Sequence, residues 1–241
     1  MTAIVAIDGP SGSGKSTVSR FLAEQLGWRY LDTGAMYRAV TWAVLQAGVS
    51  PEDAAGVGLV ARRVIVTVST DPRTPGTSVD GVSVDAAIRT PSVTSAVSAV
   101  SAVPEVRTLL VAQQRRLAEA GAIVVEGRDI GTVVAPDATV KVYLTAAAEV
   151  RAGRRSAETG SARNEVAADL SRRDGLDSTR AHSPLAAAPD ALVLDTSELG
   201  IAEVVGRLVA LVGERAGAGG RAPAHTDDGR RHSGGDQAST P

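Results

Sequence analysis

The sequence contains no cysteine and very few aromatic residues. Without cysteine, its 241 residues can form no disulfide, no thiolate zinc site and no thiol nucleophile. Aromatic residues make up 2% of the chain and hydrophobic residues 44%, so we expect a core of Val, Leu, Ile and Ala. The length allows one large domain, or one domain with an insertion and a tail.

The sequence also lacks a charge excess, a long apolar run and a targeting segment. The formal net charge of −2 provides no basic surplus of the kind that a nucleic-acid binder needs. No apolar run approaches the roughly 18 residues that cross a bilayer. The first residues, MTAIVAIDG, have no basic region of the kind that opens a signal peptide. We therefore expect a cytoplasmic monomer that binds neither nucleic acid nor a membrane.

Lysine and histidine are scarce, because the basic residues are almost all arginine. Lysine occurs only at Lys15 and Lys141, and histidine only at His182, His225 and His232. The last two histidines lie in a polar C-terminal stretch. A reaction that depends on a positioned imidazole base is therefore disfavoured.

Apolar runs with branched side chains alternate with helical patterns along most of the chain. The predicted strands cover residues 3–7, 29–31, 122–125, 140–144 and 191–194. The predicted helices cover residues 15–26, 35–47, 51–63, 104–120 and 201–212, with Ser50 as the cap of the third. This alternation predicts a doubly wound α/β fold with a central parallel five-stranded sheet.

Two segments depart from this alternation. The segment SVDGVSVD, at residues 78–85, alternates apolar and polar residues around Asp80-Gly81, which is the signal of a two-residue hairpin. With a predicted strand at 64–69, it indicates a small antiparallel subdomain inserted at 64–100. After Val212 the chain has no large apolar side chain. We therefore predict a folded domain over 1–214 and a disordered tail over 215–241.

The segment GPSGSGKST matches the phosphate-binding pattern G-x-x-x-x-G-K-[ST]. Its glycines let the backbone curl so that successive N–H groups point at one anion. Lys15 would reach the β- and γ-phosphate oxygens of a nucleotide, and Ser16 would ligate Mg²⁺. A predicted strand before the motif and a predicted helix after it provide the required context. The predicted nucleotide site consists of Gly9, Pro10, Ser11, Gly12, Ser13, Gly14, Lys15, Ser16 and Thr17.

The motif alone indicates only nucleotide binding. A GTPase would read guanine with an N-K-x-D motif after a later strand. Lys141 lies between Val140 and Val142, and no other lysine follows the phosphate-binding segment. The lack of that motif excludes a GTPase.

Arginines recur at strand ends and in helices near the presumed edge of the sheet. They are Arg38, Arg107, Arg128, Arg151, Arg154, Arg155, Arg173 and Arg180. A guanidinium can hold phosphate oxygens with two hydrogen bonds, and several can neutralise a transferring phosphoryl group. A lone arginine is more often part of a solvated helix face. A phosphate acceptor needs no base, because its second pKa of roughly 6 leaves it anionic at neutral pH.

Five segments, taken together, resemble the bacterial cytidylate kinases, which belong to the nucleoside monophosphate kinase family. They are IDGPSGSGKST (7–17), YLDTGAMYR (30–38), EGRDIGTVVAPDA (126–138), RRDGLDSTRAHSPL (172–185) and DALVLDTS (190–197). The resemblance runs in order from residue 3 to about 212. It implies a P-loop kinase with strand order 2-3-1-4-5 that phosphorylates CMP or dCMP with ATP and Mg²⁺.

The resemblance also implies roles on the acceptor side. Arg38, Arg128 and Arg180 resemble residues that bind the acceptor phosphate. Asp129 and Arg107 resemble the pair that reads the cytosine edge. The segment at 64–100 then corresponds to a subdomain that binds the nucleoside monophosphate. The implied substrate-binding set is Thr33, Arg38, Ser98, Arg107, Arg128, Asp129, Arg173, Asp177 and Arg180.

Other acceptor-side positions are less uniform. Ser98 is implied as a helper in base reading, and Thr33 stands where many relatives have Ser, a change that keeps the hydroxyl. Arg173 and Asp177 resemble residues that contact the ribose. Their structural alternatives are a helix cap for Asp177 and an ion pair from Arg173 to Asp174 or Asp177.

On the donor side, the resemblance implies a mobile lid at 151–166 whose arginines close over the ATP phosphates. The lid is short, with its centre at roughly 156–164. Glu126 ends its strand where a carboxylate can position Mg²⁺ through water, so the implied metal residues are Ser16 and Glu126. The implied catalytic residues are Lys15, Arg128, Asp129, Arg154 and Arg155.

Two other functions remain open at this point. One is a kinase for UMP or for another small phosphorylated acceptor. The presence of the R-D-x-x-D-x-x-R run together with G-R-D argues against this function. The other is a non-catalytic regulator that binds nucleotides on a kinase scaffold. The intact Lys15, Ser16, Arg128 and Asp129 argue against that function.

Overall fold

The computed structural model describes residues 3–180 and 183–218. The strands are β1 (Ile4–Asp8), β2 (Arg29–Asp32), β3 (Val66–Val68), β4 (Thr77–Val79), β5 (Val82–Ser83), β6 (Ile123–Gly127), β7 (Val140–Thr145) and β8 (Leu192–Asp195). The helices are α1 (Lys15–Leu26), α2 (Thr33–Gln46), α3 (Ala54–Arg63), α4 (Pro91–Ala102), α5 (Pro104–Glu119), α6 (Ala148–Thr159), α7 (Arg163–Thr179) and α8 (Ile201–Ala218). No single helix among these residues is long and apolar enough to span a membrane; α4 and α5 reach that threshold only as a pair bent by 93°.

Five strands form the central sheet in the order β2-β6-β1-β7-β8. Every pairing in this sheet is parallel. Numbered along the chain, the strands of this sheet run 2-3-1-4-5, so the predicted fold class and the implied strand order are confirmed. Asp8 at the end of β1 is in register with Gly127 at the end of β6. The loops that follow these two strands therefore leave the same edge of the sheet, where open α/β sheets bind ligands.

Helices cover both faces of the sheet, and the strand periodicity of two determines which side chains each face buries. Along β1, Ala6 faces the cluster formed with α2, α4 and α5, whereas Val5 and Ile7 face the cluster formed with α1 and α8. The core is aliphatic as predicted: among the described residues, Tyr30 and Tyr37 are the only buried aromatic side chains. Each fully buried aliphatic side chain contributes ~1.5–3 kcal/mol.

The inserted segment forms a three-stranded antiparallel sheet in the order β3-β4-β5. Asp80 and Gly81 join β4 to β5 with φ values of 50° and 80°, the left-handed pair that a tight hairpin turn requires. The predicted hairpin is therefore present. The predicted boundary at residue 100 falls inside α4, which continues to Ala102.

Two predicted helix ends differ from the structure. The cap of α3 is Asp53, whose carboxylate accepts a hydrogen bond from Gly56 N, whereas Ser50 Oγ donates to Glu52 Oε2 at 2.6 Å. Ser50 is therefore not the cap. At the C-terminus, α8 continues through residues 215–218, because the residues that follow its last apolar contact include good helix formers. The rest of the predicted tail, 219–241, lies outside the described residues.

The predicted lid, 151–166, covers most of α6, the connection at 160–162 and the first turn of α7. Gly160, with φ 69°, ends α6 in the left-handed conformation that favours glycine at this position. Residues 160–162 then turn the chain into α7. This helical hairpin places α6 beside the phosphate-binding loop and α7 across the cleft from it.

Candidate active site

The phosphate-binding loop wraps around the side chain of Lys15. Lys15 Nζ donates to Pro10 O at 2.6 Å, and Ser13 Oγ donates to the same carbonyl at 3.0 Å. A Cβ at Gly9 would collide with the carbonyl oxygen of Leu144 on β7, so only glycine lets the loop pass this strand. Burial lowers the pKa of Lys15 to about 7, and the neighbouring Arg128 contributes to that lowering. The loop therefore holds an ammonium group that a nucleotide phosphate would stabilise.

A second group of oxygen atoms lies beside the loop, at the ends of β2 and β6. Ser16 Oγ donates to Glu126 Oε2 at 3.0 Å, and the Tyr30 hydroxyl donates to Glu126 Oε1. Burial, together with the nearby Asp32, raises the pKa of Glu126 to about 7. Thr33 Oγ1 donates to the Glu126 carbonyl at 2.7 Å, so its hydroxyl is already bound to the strand end. The predicted pair of Ser16 and Glu126 is in contact.

At the far end of the cleft, Arg107 and Asp129 form a buried salt bridge, with 6% of each side chain exposed. The Tyr37 ring lies under the Arg107 guanidinium, 5.4 Å from ring centre to Cζ. Burial raises the pKa of Asp129, although Arg107 opposes this. Ser98 lines the same end of the cleft. The pair implied by the resemblance is therefore brought together in space, and Tyr37 was not predicted.

Between these two ends lies a cluster of arginines that share one carboxylate. Arg128 Nε donates to Asp177 Oδ2 at 3.0 Å, and Arg180 Nη2 lies 3.9 Å from Asp177 Oδ1. Asp177 is thus an ion-pair partner inside the cleft, and the alternative that it caps a helix is wrong. Arg38 donates to the Ile88 carbonyl at 3.0 Å from the other side of the cleft.

Arg173 lies in the same cluster and has no hydrogen-bond or ion-pair partner in the part of the chain that the structure describes. It is 5% exposed, and its Nε has no hydrogen-bond partner among the described residues. Both alternatives proposed for its pairing are wrong, because Asp174 pairs with Arg151 and Asp177 pairs with Arg128 and Arg180. Burial, aided by nearby Arg128, lowers the pKa of Arg173. Such a desolvated cationic cluster favours an anionic ligand.

The two lid arginines, Arg154 and Arg155, have different contacts in the structure. Arg155 lines the cleft and pairs with Glu158 at 2.9 Å. Arg154 does not line the cleft; its guanidinium donates to the carbonyl and the hydroxyl of Thr196. The expected catalytic residue Arg154 is nevertheless close to the phosphate-binding loop, since its Nη1 would lie 3.9 Å from a Cβ at Gly14.

Arg151, which the sequence analysis listed among the arginines without assigning it a role, lies beside the phosphate-binding loop. It donates to the Ser11 carbonyl at 3.2 Å and pairs with Asp174 on α7 at 2.5 Å. The spacing of Arg151, Arg154 and Arg155 is a signal that sequence reasoning missed. Residues three and four apart share a helix face, so all three were candidates for contact with the loop.

The cleft collects most of the predicted residues. Its predicted members are Ser11, Gly12, Gly14, Lys15, Ser16, Thr17, Thr33, Arg38, Ser98, Arg107, Glu126, Arg128, Asp129, Arg155, Arg173, Asp177 and Arg180. Gly9, Pro10 and Ser13 form the buried back of the loop instead. The unpredicted members that line it with polar or aromatic side chains are Asp32, Tyr37, Arg89, Ser101 and Glu158.

The comparisons with known proteins agree with this arrangement. The family model described as Cytidylate kinase matches residues 5–214. The chain belongs to the cytidylate kinase family. A relative from Rhodococcus opacus that is named cytidylate kinase is 58% identical over 222 residues, covering 90% of this chain and 97% of the relative. A relative of the same name from Mycobacterium leprae is 55% identical, covering 89% and 97%.

The fold has a structural counterpart at low sequence identity. An uncharacterised protein from Eubacterium ventriosum superposes with a TM-score of 0.54 at 12% identity, over 89% of this chain and 99% of its own. That similarity concerns the fold alone. The cleft is lined by the phosphate-binding loop, by the Arg107–Asp129 pair and by the arginine cluster.

Proposed function

We propose that this chain transfers the γ-phosphate of ATP to CMP or dCMP, giving ADP and CDP or dCDP. The observation that carries the proposal is the single cleft in which buried Lys15 and the buried Arg107–Asp129 pair occupy opposite ends. Membership of the cytidylate kinase family supports the same reaction.

The residues of the cleft supply positioning and charge. An oxygen of the acceptor phosphate attacks the γ-phosphorus of ATP, and the bond from that phosphorus to the β–γ bridging oxygen breaks. The acceptor oxygen is already anionic, so no general base is needed. Lys15 from one side and Arg128 from the other neutralise the negative charge that spreads over the transferring group. Arg38, Arg173 and Arg180 complete the binding of the acceptor.

We also propose that Mg²⁺ accompanies ATP. The Ser16 hydroxyl and the Glu126 carboxylate, 3.0 Å apart, are the oxygen donors that Mg²⁺ prefers, and a site with few protein ligands suits an ion that keeps its waters. Ser16 would ligate the ion and Glu126 would hold one of its waters. When bound, the ion supplies charge neutralisation at the β- and γ-phosphates.

Base choice would follow from the Arg107–Asp129 pair. Asp129 can accept a hydrogen bond from the 4-amino group of cytosine, while Arg107 donates to N3 or O2. Uracil presents O4 and N3–H at these positions, so the carboxylate faces an oxygen and the guanidinium faces a donor. Each such buried mismatch costs ~1–3 kcal/mol, and sites of this kind discriminate well. We therefore propose that UMP is a poor acceptor and that purine monophosphates are too large.

Two further parts of the proposal concern organisation. The segment 64–100, with the rest of α4, would act as the subdomain that binds the nucleoside monophosphate, since Ile88 and Arg89 line the cleft. The segment 151–166 would act as a short lid, since Arg155 and Glu158 on α6 line the cleft. We further propose that the protein acts as a monomer, which light scattering coupled to size-exclusion chromatography measures directly.

A coupled assay of ADP formation with a panel of monophosphates tests the function. We expect high kcat/KM with CMP and dCMP, a clearly lower value with UMP, and no turnover with AMP or GMP. Equal kcat/KM for UMP and CMP would contradict the base-reading role. Absence of turnover with every monophosphate, despite normal ATP binding, would favour the non-catalytic regulator instead.

A further inference from the structure

Asp8, the last residue of β1, has no assigned role in the site described above. It is 4% exposed and does not line the cleft. Its Oδ1 accepts a hydrogen bond from Ile130 N and its Oδ2 accepts one from Gly131 N, both at 2.8 Å. Burial raises the pKa of this carboxyl to about 6, although the two amide donors oppose the change. A buried acidic side chain is therefore committed to the backbone of one turn.

That turn carries the base-reading carboxylate. Residues Ile130–Val134 form a single π-helical turn directly after Asp129. Its internal hydrogen bonds include Val133 N to Asp129 O at 2.8 Å and Ala135 N to Ile130 O at 2.7 Å. π-Helical turns are rare and occur frequently at functional sites. The position of the Asp129 side chain therefore depends on how this turn is fixed.

Arg115 on α5 holds the opposite end of the same turn. Its Nη2 donates to the Val133 carbonyl at 2.6 Å, and its Nε donates to the Val134 carbonyl at 3.2 Å. The Asp8 carboxylate thus binds the N–H groups at the start of the turn, and the Arg115 guanidinium binds the carbonyls at its end. This placement of negative and positive charge is the favourable one at helix ends. The same helix carries Arg107, the ion-pair partner of Asp129.

We propose that Asp8, assisted by Arg115, is a positioning residue for base selection. The inference rests on the proposed function, since it assigns a cause to the preference for cytosine. Asp8 fixes the two amides that follow Asp129, so the reading carboxylate faces Arg107 and the cytosine edge at a set distance. The end of the strand that carries the ATP-binding loop thereby determines the geometry of the acceptor base site.

The variant Asp8→Asn tests this proposal. Its amide has one acceptor oxygen, and its NH₂ group would face an N–H donor of the turn. We expect KM for CMP to rise roughly tenfold, with KM for ATP within about twofold of the parent. The ratio of kcat/KM for CMP to that for UMP should fall several-fold. A purely structural role of Asp8 would lower activity with both nucleotides and leave this ratio unchanged.

Arg115→Gln provides a second variant that does not disturb the core, because this residue lies at the surface. It should shift KM for CMP and the CMP-to-UMP ratio in the same direction by a smaller factor. Arg116→Gln is the matched control: it is exposed on the same helix and makes no hydrogen bond or ion pair with the described residues, so its ratio should equal that of the parent.

Three results would overturn the inference. One is an unchanged CMP-to-UMP ratio in both Asp8→Asn and Arg115→Gln. Another is a rise in KM for ATP that matches the rise for CMP in Asp8→Asn, which would mean that Asp8 supports the phosphate-binding loop. The third is a parent enzyme without preference for CMP over UMP; in that case the base-reading role itself fails, before any variant is compared.

Discussion

At the scale of single residues, the site combines buried charges of both signs whose pKa values move toward neutrality. Burial lowers the pKa of Lys15 and raises that of Glu126, each to about 7. Lys15 directly precedes Ser16 in the chain, and Ser16 donates to Glu126. Such opposed shifts are typical of sites that are completed by a charged ligand.

Removing the ammonium group of Lys15 should abolish transfer without unfolding the protein. We expect Lys15→Met to lower kcat by at least ~100-fold, because a preorganised charge at the phosphates is lost. Its melting temperature should equal that of the parent or exceed it, since a desolvated cation is removed. Lys141→Met is the matched control: this lysine pairs with the exposed Asp190, and its variant should keep normal turnover. A folded Lys15→Met with normal kcat would contradict the assignment.

ATP binding should be coupled to proton uptake. At about pH 8, Lys15 is mostly neutral in the free protein, because its pKa is lowered from 10.5 to about 7. The negative phosphates raise that pKa again, so binding takes up a proton. Calorimetry without divalent metal, in buffers of different ionisation enthalpy, measures the uptake. It should vanish in Lys15→Met and persist in Glu126→Gln; loss of uptake in Glu126→Gln would instead assign the proton to the carboxyl.

Base choice should depend on the Asp129 carboxylate. We expect Asp129→Ala to narrow the gap in kcat/KM between CMP and UMP, mainly by losing activity with CMP. The reason is that the variant loses the acceptor for the 4-amino group of cytosine, while Arg107 remains as a donor without its ion-pair partner. Steady-state kinetics with both acceptors measures the change. An unaltered ratio would show that another group reads the base.

At the scale of elements, the loop after β6 and helix α7 form one unit of the acceptor site. Arg128 follows β6 directly and reaches Asp177 on α7, and Asp177 also holds Arg180. A strand end and a helix from distant parts of the chain therefore present their guanidinium groups to the same point. Arg151 ties α7 to the phosphate-binding loop through Asp174.

Disrupting this unit should weaken the binding of the acceptor CMP more than the binding of the donor ATP. We expect Arg128→Ala to raise the dissociation constant for CMP and lower kcat, while ATP affinity changes little. Removing Arg128 also removes a cation that lowers the pKa of Lys15, so ATP binding has no reason to weaken. Isothermal titration calorimetry measures the affinity of the variant for CMP and for ATP separately. Arg172→Ala, an exposed arginine on α7 paired with Asp169, is the control; a loss of ATP affinity with CMP affinity intact would show that the division is wrong.

At the scale of the whole molecule, two apolar clusters flank one parallel sheet, and the cleft opens where the strands end. Among the residues whose burial the structure describes, Val212 on α8 is the last buried side chain. Beyond it the sequence has no large apolar side chain. The stability of the fold should therefore depend on the chain up to α8.

Removal of residues 219–241 should leave activity and melting temperature unchanged. A segment of this composition cannot bury enough apolar surface to offset its ordering entropy. Differential scanning calorimetry and the CMP assay on the truncated protein measure both quantities. A drop of several degrees in the melting temperature, or a change in KM, would show that the segment contacts the folded domain.

The sequence by itself determined the features that depend on neighbours along the chain. Alternating apolar patterns gave the α/β class, Asp80-Gly81 gave the hairpin, and the segment from Gly9 to Thr17 gave the phosphate-binding loop with helix α1 behind it. These features follow from local backbone geometry, turn chemistry and side-chain periodicity. The pairing of Arg107 with Asp129, by contrast, was expected only from a family resemblance, because no local pattern connects a helix to a distant strand end.

Only the tertiary structure decided which distant residues meet. Asp8 contacts Ile130 and Gly131 across 122 and 123 positions, and Tyr30 contacts Glu126 across 96. It also pairs Arg154 with Thr196, 42 positions along the chain. These contacts depend on the order in which parallel strands lie side by side, and that order places β6 between β1 and β2. A periodicity of two specifies which side chains a strand buries but not which strand lies beside it, so no local signal could supply them.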